Sequence, residues 1–241
     1  MSWWKGWTAK TGKDSEVKGI TILDALNDLI KPPKRNDTGP LRIPIGQTYN
    51  IKGVGAVICG RIEQGIAKPE DKIAICPLGV KDLKLFSIEM HKKKYEKAVP
   101  GDNIGMTIKG LAKDNMPKPG DIIYKPSEGE ISATKSFTAL VVVQDHPGQL
   151  KIGFCPIVHV RTAKSACKLV KINWKKSKKT GDAEMKDPPF LERWESAECV
   201  FEPQKPFYLE PFSVTPGLGR VAVMDSNSLV MLGKVLSVES I

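Results

Sequence analysis

The chain has 241 residues and a formal net charge of +10, and 41% of its residues are hydrophobic. This length suits one large domain or two ordinary ones with buried cores. No apolar run approaches the ~20 residues of a membrane-spanning helix, and MSWWKGW at the N-terminus is not followed by the apolar stretch of a secretory signal. The five cysteines are scattered without a CxxC pair, which argues against a zinc site or a disulfide framework and favours a reducing, cytoplasmic location.

Residues 1–40 are predicted not to form a domain of their own. The opening segment is polar and flexible in character, and ITILDALNDLI then places apolar residues at helical spacing from Ile20 to Ile30. Thr21, with Asp24 three residues later, predicts an N-cap for this helix. The following Pro32 and Pro33 predict its end. The sequence therefore predicts one short helix that leads into the rest of the chain.

Two tandem barrels are predicted after this lead-in. Short strands with turn residues between them follow one another from IKGVGAVICGRIEQG through IAIC and SIEMH to VPGDNIGMTIKGL, a pattern typical of a small closed β-barrel. This barrel is placed at residues 41–129, and Pro126–Glu130 is predicted to be a short linker. A second barrel over residues 130–241 begins with the apolar run FTALVVV. The predicted fold class is all-β: two tandem small β-barrels with a short N-terminal helical lead-in.

Basic residues are concentrated in two segments. Residues 161–180 contain eight basic residues and no acidic one, and a second cluster comprises Lys92, Lys93, Lys94 and Lys97. Such stripes supply the salt-dependent attraction to phosphates that nucleic-acid binding requires. From charge alone, nucleic-acid binding and ordinary solubility are equally good explanations. The charged segment 175–195, which contains two adjacent prolines, is predicted to be a mobile loop.

No catalytic constellation can be assembled from the sequence. The three histidines, His91, His146 and His159, lie in unrelated settings, so no nucleophile, base and orienting group are indicated. The phosphate-binding pattern GxxxxGK[ST] and the base-reading pattern NKxD are both absent from the sequence. We therefore assign no catalytic residue, no metal ligand and no cofactor to this chain, and expect that by itself it is not an enzyme.

Several ordered motifs carry a family resemblance. GRIEQGIAKPEDKIAI, SIEMHKKKYEKAVPGDNIGMTIKGL and NMPKPGDIIY resemble the second domain of translation elongation factors of the EF-Tu and one-alpha class. FTALVVVQDHPGQLKIGFCPIVHVRTAKSACKLV and GLGRVAVMDSNSLVMLGKVLSV resemble the start and the end of the third domain. The resemblance extends from Trp3 to Val238. It implies a factor that delivers aminoacyl-tRNA to the ribosome in a GTP-dependent way and that has a guanine-nucleotide exchange factor as a partner.

The resemblance also implies that the catalytic domain lies outside this chain. In the family a separate domain binds GTP and Mg²⁺ and hydrolyses the nucleotide. Residues 1–40 would be a remnant of that domain's C-terminal helix together with a linker. Met1 is then expected to be an internal methionine or an artificial boundary rather than the start of a complete factor. The parent protein would be a GTPase, whereas this chain would not bind GTP.

A pocket for the aminoacylated 3′ end of tRNA is implied in the first barrel. The residues matched to this pocket are Arg61, Glu89, Met90, His91, Lys92 and Asn103. Glu89 and Met90 would meet the terminal adenosine. His91 would wall the aminoacyl group, and Lys92 would meet a backbone phosphate. A carboxylate and an imidazole on a rigid rim can read a single-stranded end through hydrogen bonds and stacking, although without the resemblance a solvated strand edge is the better explanation.

The resemblance assigns contacts with the tRNA T-stem to the second barrel. Arg161, Thr162 and Lys164 match that region, and cationic and hydroxyl side chains suit shape-based recognition of an A-form helix. One departure concerns residues 224–229, where MDSNSL replaces the family's RDMRQT and two basic residues are lost. We therefore expect no direct T-stem contact from that loop. The same departure favours an elongation factor-like branch over one-alpha proper.

Two other functions remain open from the sequence. The termination and ribosome-rescue paralogues share these barrels but carry a tRNA-mimicking protein, so binding of charged tRNA or of a release-factor-like partner separates them. A third reading is an interaction module that binds actin or an exchange factor through the same barrels. Actin co-sedimentation without tRNA binding would favour it. The pocket motif EMHKK and the segment KGLAKDNMP favour the elongation factor.

Overall fold

The computed structural model describes residues 2–11, 15–31, 33–52, 55–144, 146, 148–177 and 183–241. Predictions made above for Met1, for Pro32 and for residues 178–182 of the charged segment fall outside the described residues. The chain divides into two compact units, one ending at Arg35 and the other spanning Asn36–Ile241.

The first unit combines a hairpin with the predicted helix. Strands β1 (Trp7–Lys10) and β2 (Glu16–Gly19) pair antiparallel, and helix α1 covers Ile22–Leu29. The capping box is confirmed, because the Thr21 hydroxyl accepts from the Asp24 amide and the Asp24 carboxylate accepts from the Thr21 amide. The hairpin was not predicted. No residue of α1 is buried, so the apolar stripe of the helix lies in solvent.

The first barrel closes through six strands. Its strands are β3 (Ile43–Ile51), β4 (Gly55–Arg61), β5 (Lys72–Cys76), β6 (Val80–Met90), β7 (Lys93–Tyr95), β8 (Asn103–Lys109) and β9 (Ile122–Tyr124). Neighbouring strands follow the order β5-β9-β3-β4-β8-β6, and β6 pairs back to β5. Strand β7 extends the far end of β6 as a hairpin. Alternating residues of these strands fill the interior with isoleucine and leucine side chains.

The second barrel has the same closed form. Its strands are β10 (Thr134–Val143), β11 (Leu150–Lys151), β12 (Ile157–Val160), β13 (Ala163–Lys176), β14 (Glu184–Lys186), β15 (Phe190–Leu191), β16 (Ser196–Pro203), β17 (Arg220–Asp225) and β18 (Ser228–Ser240). The ring runs β12-β17-β18-β10-β16-β13, and β13 pairs back to β12. Its interior is packed around the stacked rings of Phe137 and Phe201. The predicted class of two small β-barrels behind a helical lead-in is thus confirmed.

The prediction of a mobile loop over residues 175–195 is wrong for the described part of that segment. Strand β13 continues to Lys176, and β14 pairs with it antiparallel. Lys175 is buried and its ammonium group lies 3.0 Å from the Glu195 carboxylate. The charge density that suggested disorder therefore includes a buried ion pair, which composition alone does not reveal.

A polar seam joins the two barrels. Arg42 Nε donates to Glu210 Oε1 over 2.6 Å, and the Tyr208 hydroxyl donates to the same oxygen over 2.5 Å. Burial lowers the pKa of Arg42, but the interactions with Glu210 and Tyr208 together raise it by more. The pKa of Arg42 therefore lies above its ordinary value. A small apolar cluster continues the seam with Ala74, Cys76, Ile122, Tyr124, Tyr208 and Leu218. These contacts fix one barrel against the other.

Three cysteines are buried in the two barrels, and from their raised pKa values we expect the protein to lose stability in alkali. Burial raises the pKa of Cys76, Cys167 and Cys199 to about 12 from an ordinary 9.0. Above pH 9 the unfolded chain therefore releases protons that the folded chain retains, and the free energy of unfolding falls as the pH rises from 9 toward 12. The expected slope is on the order of 1 kcal/mol per pH unit for each thiol.

Urea unfolding followed at a series of alkaline pH values measures this slope. Cys199→Ala should make the slope shallower by roughly 1 kcal/mol per pH unit, since one of the shifted thiols is removed. A slope that is unchanged in this variant would show that other groups cause the alkaline loss.

Candidate functional site

A cleft of about 800 Å³ lies between the outer face of the first barrel and the β12–β13 turn of the second. This volume falls in the range of small-molecule sites. Four elements contribute most of its lining: β3, β4, β6 and β8. The lining residues used below are Gln47, Cys59, Arg61, Glu63, Glu89, Met90, His91, Asn103, Gly105, Arg161 and Thr162.

The strand register builds the floor of the cleft. Arg61 pairs with Asn103 across β4 and β8, while Gly105 faces Cys59 on one side and Glu89 on the other. Because side chains two residues apart share one face of a strand, these five residues lie on the same outer surface. A Cβ placed on Gly105 would have its nearest atoms at 3.8 Å, so the absence of a side chain there leaves open space above the floor.

The polar groups around this floor are available to a ligand. Arg61, Glu89, His91 and Asn103 are exposed, and Met90 is half-buried. Within the described residues, no side-chain hydrogen bond or ion pair engages the guanidinium of Arg61, the carboxylate of Glu89 or the imidazole of His91. A guanidinium, a carboxylate and an imidazole therefore face one space without competing partners among the described residues.

The turn after β6 is held in a strained conformation. Met90 pairs with Lys93, so His91 and Lys92 form a two-residue turn, with φ values of 49° and 64°. Turns of this kind favour Asn-Gly, because a side chain makes positive φ costly by about 1–3 kcal/mol per residue. Such strain is concentrated at functional sites. It places His91 on the cleft, while Lys92 is exposed and not part of the lining.

The second barrel contributes to the same cleft. Arg161 and Thr162 form the turn between β12 and β13, and both line the cleft beside the residues matched to the 3′ end. Lys164, the third residue matched to the T-stem, is exposed on β13 outside the lining. The cleft therefore contains two of the three residues matched to the T-stem as well as residues matched to the 3′ end.

Several lining residues were not found from the sequence. Glu63 and Gly105 lie inside the quoted motifs GRIEQG and NIGM, but no property of the motif indicated their place. Gln47 and Cys59 carried no signal, since their position depends on strand register. Burial raises the pKa of the Cys59 thiol, which disfavours its thiolate form.

The described part of the basic segment 161–180 presents less unneutralised positive charge on the surface than its sequence suggests. Lys171 lies 3.7 Å from Asp187 and Lys176 lies 3.6 Å from Glu184, so β14 and the residue after it partly neutralise β13. Lys164 and Lys168 remain exposed on that strand. Phosphate attraction by the described part of the segment therefore depends mainly on these two lysines, since Arg161 also has a carboxylate partner in Glu63.

The described ranges contain neither a cluster of metal ligands nor a helix suited to cross a membrane. No group of three or more His, Cys, Asp or Glu residues in them is placed to hold a metal ion. No helix in the part of the chain that the structure describes has the length and hydropathy needed to cross a bilayer.

Two family models match the two barrels. The model described as "Elongation factor Tu domain 2" matches residues 55–124, and the model "GTP-eEF1A C-terminal domain-like" matches residues 136–236. The chain belongs to the elongation factor Tu and elongation factor 1-alpha family. Both matched regions contribute residues to the cleft, because β4, β6 and β8 lie in the first match and Arg161 lies in the second.

Curated relatives extend the match over nearly the whole chain. Elongation factor 1-alpha of Metallosphaera sedula is 42% identical over 92% of this chain and 50% of its own length. That of Saccharomyces cerevisiae is 37% identical over 98% of this chain and 51% of its own length. The chain spans about half the length of the curated relatives it matches.

A solved structure shares the elongation-factor fold. The structure titled "Crystal Structure Analysis of sup35 complexed with GDP" superposes with a TM-score of 0.77 at 22% identity and covers 93% of this chain and 53% of that one. At this identity the likeness concerns the fold alone.

Proposed function

We propose that this chain is the aminoacyl-tRNA-binding part of a translation elongation factor that delivers aminoacyl-tRNA to the ribosome in a GTP-dependent way. The observation that carries the proposal is the convergence of Arg61, Glu89, Met90, His91 and Asn103 on one cleft. Three of these side chains present charged or polar groups without partners among the described residues. A rigid barrel surface that holds such groups in place suits recognition of a single-stranded RNA end.

Each residue has a role that its chemistry supports. The Glu89 carboxylate accepts hydrogen bonds from the terminal adenosine, and the half-buried Met90 packs against its base. His91 faces the aminoacyl group, because the strained turn holds its ring at the cleft. Arg61 and Asn103 supply donors from the neighbouring strands. Lys92, exposed beside the cleft, attracts a backbone phosphate.

The T-stem contact is proposed for the exposed face of β13. Lys164 and Lys168 are exposed cations there, which suit contact with phosphates of a helix rather than reading of bases. Arg161 and Thr162 form the turn that precedes this strand at the cleft, so the strand would lead from the 3′ end toward the stem. Such phosphate contacts would not read the base sequence of the T-stem.

GTP and Mg²⁺ belong to the parent protein in this proposal. The residues of this chain do not fit such a site, since the sequence lacks a phosphate-binding loop and the described residues include no metal cluster. No step through the nucleotide is therefore assigned to this chain. The exposed apolar stripe of α1 supports the view that residues 1–40 are a remnant of the nucleotide-binding domain, against which the stripe would pack. Residues 41–129 and 130–241 are then domains two and three of a cytoplasmic factor, with the exchange factor as a further partner.

Binding of aminoacyl-tRNA to the 241-residue chain tests the proposal. We expect weak binding that falls steeply between ~50 mM and ~200 mM salt, because each phosphate contact releases counterions. Aminoacyl-tRNA should bind more tightly than uncharged tRNA, and Glu89→Gln should reduce the binding of both. In a footprint with a thiol reagent, the bound tRNA should protect Cys59 in the cleft but not the exposed Cys155.

Three results would contradict the proposal. The first is binding that does not depend on salt, and the second is modification of Cys59 that bound tRNA leaves unchanged. The third is co-sedimentation with actin in the absence of any tRNA binding, which would favour an interaction module instead. Binding of a release-factor-like partner in place of charged tRNA would favour a termination or rescue paralogue.

A further inference from the structure

An ion pair between the barrels forms one wall of the cleft. Arg161 Nη2 in the second barrel donates to Glu63 Oε2 in the first over 2.7 Å. The Glu63 side chain is 9% exposed, whereas that of Arg161 is 40% exposed. Gly217 covers the pair closely, since a Cβ at that position would overlap the Glu63 carboxylate. The carboxylate is therefore committed to Arg161, while part of the guanidinium still faces the cleft.

The backbone of Arg161 is also constrained. Its φ of 53° lies in the left-handed region that residues other than glycine rarely adopt. A guanidinium has five donors in a planar fork, so one bond to Glu63 leaves the others free for a second acceptor. The strained turn and the buried carboxylate together fix the direction in which these free donors point. A cation that served only solubility would require neither constraint.

We propose that Glu63 holds Arg161 as a positioning pair, so that the free edge of the Arg161 guanidinium binds a phosphodiester of the RNA strand whose terminal adenosine lies at Glu89. This inference rests on the proposed function. Arginine pairs with phosphate through two parallel hydrogen bonds, which gives both strength and orientation. A 3′ end in the cleft carries its phosphates only on the strand that leads away from the terminal nucleoside. The second barrel thereby contributes to 3′-end binding and not only to the stem.

Two synthetic ligands separate this contact from the adenosine pocket. The first is an aminoacyl-adenosine mimic without a phosphate, and the second is the same group at the end of an RNA trinucleotide. Arg161→Met should weaken binding of the trinucleotide about tenfold, the usual effect of losing a charge-assisted contact. Binding of the mimic should stay unchanged. The slope of log K against log salt for the trinucleotide should become shallower by about 0.7, which is the effect of one lost phosphate contact on a single strand.

Glu63→Gln tests the positioning role by the sign of its effect. If Glu63 orients Arg161, the variant binds the trinucleotide more weakly; if Glu63 only neutralises Arg161, the variant binds it more tightly and the inference is overturned. Arg220→Met is the matched control, because Arg220 is an exposed arginine of the same barrel that lies over the Phe212 ring and is not one of the residues that line the cleft. It should leave both ligands unaffected.

The remaining outcomes are also decisive. Equal losses for both ligands in Arg161→Met, with no change in salt slope, would show a structural wall and overturn the inference while leaving the proposed function intact. Failure of the unaltered chain to bind either ligand would overturn the proposed function, and this inference with it.

Discussion

Arg42→Met is expected to lower the free energy of unfolding by about 3–5 kcal/mol, because it leaves the carboxylate of Glu210 buried without its cation. Both side chains of the pair are less than a tenth exposed. Glu210 Oε2 already has no hydrogen-bond partner among the described residues, so the lost attraction cannot be replaced locally. Tyr208 alone would remain on the other oxygen. Since the pair joins the two barrels, the variant should also weaken binding in the cleft, whose lining comes from both.

Urea unfolding followed by fluorescence measures this loss. Lys135→Met is the matched control, because Lys135 lies 2.9 Å from Glu239 but both side chains are more than half exposed. Breaking an exposed pair should cost at most about 1 kcal/mol. Replacing both members of the buried pair, as in Arg42→Met with Glu210→Met, should recover much of the stability, since no charge is then left buried. Equal losses for the buried and the exposed pair would contradict the role assigned to the seam.

Gly105→Ile is expected to abolish most binding of an aminoacyl-adenosine mimic while the barrel stays folded. The new side chain would stand in the middle of the floor between Cys59 and Glu89, where the nearest atoms to a Cβ are 3.8 Å away. Overfilling a binding site typically costs about 1–3 kcal/mol, which is roughly 5- to 150-fold in affinity. Stability should hold or rise by about 0.5–1 kcal/mol, because glycine within a strand is unfavourable.

Two further variants serve as comparisons for this prediction. Thr107→Val changes the next residue on the same face of β8, which lines a different groove, and should leave binding unchanged. Gly60→Ala adds a methyl group 2.7 Å from the Pro44 carbonyl oxygen and should destabilise the barrel, because backbone must move. Tight binding by Gly105→Ile, measured by calorimetry on a folded sample, would show that the ligand does not lie on this floor.

The secondary structure and the two barrels were predictable because their signals are local. Strand periodicity, turn residues and the capping box at Thr21 and Asp24 depend on neighbours along the chain, and the structure confirms the capping box and the two-barrel class. The hairpin β1–β2 was missed, because its short strands lie in a polar segment with weak alternation. The predicted loop over residues 175–195 was wrong since composition does not show which charges find partners.

The sequence by itself determined the fold class, the family and the motifs that supply Arg61, Glu89, His91 and Asn103. Only the tertiary structure decided that these residues share one cleft with Arg161 and that Glu63 holds Arg161 there. Arg161 and Glu63 are separated by 98 residues, and the two members of the Arg42–Glu210 pair by 168. Contacts over such distances depend on how two closed barrels pack against each other, and no local pattern of residues encodes that arrangement.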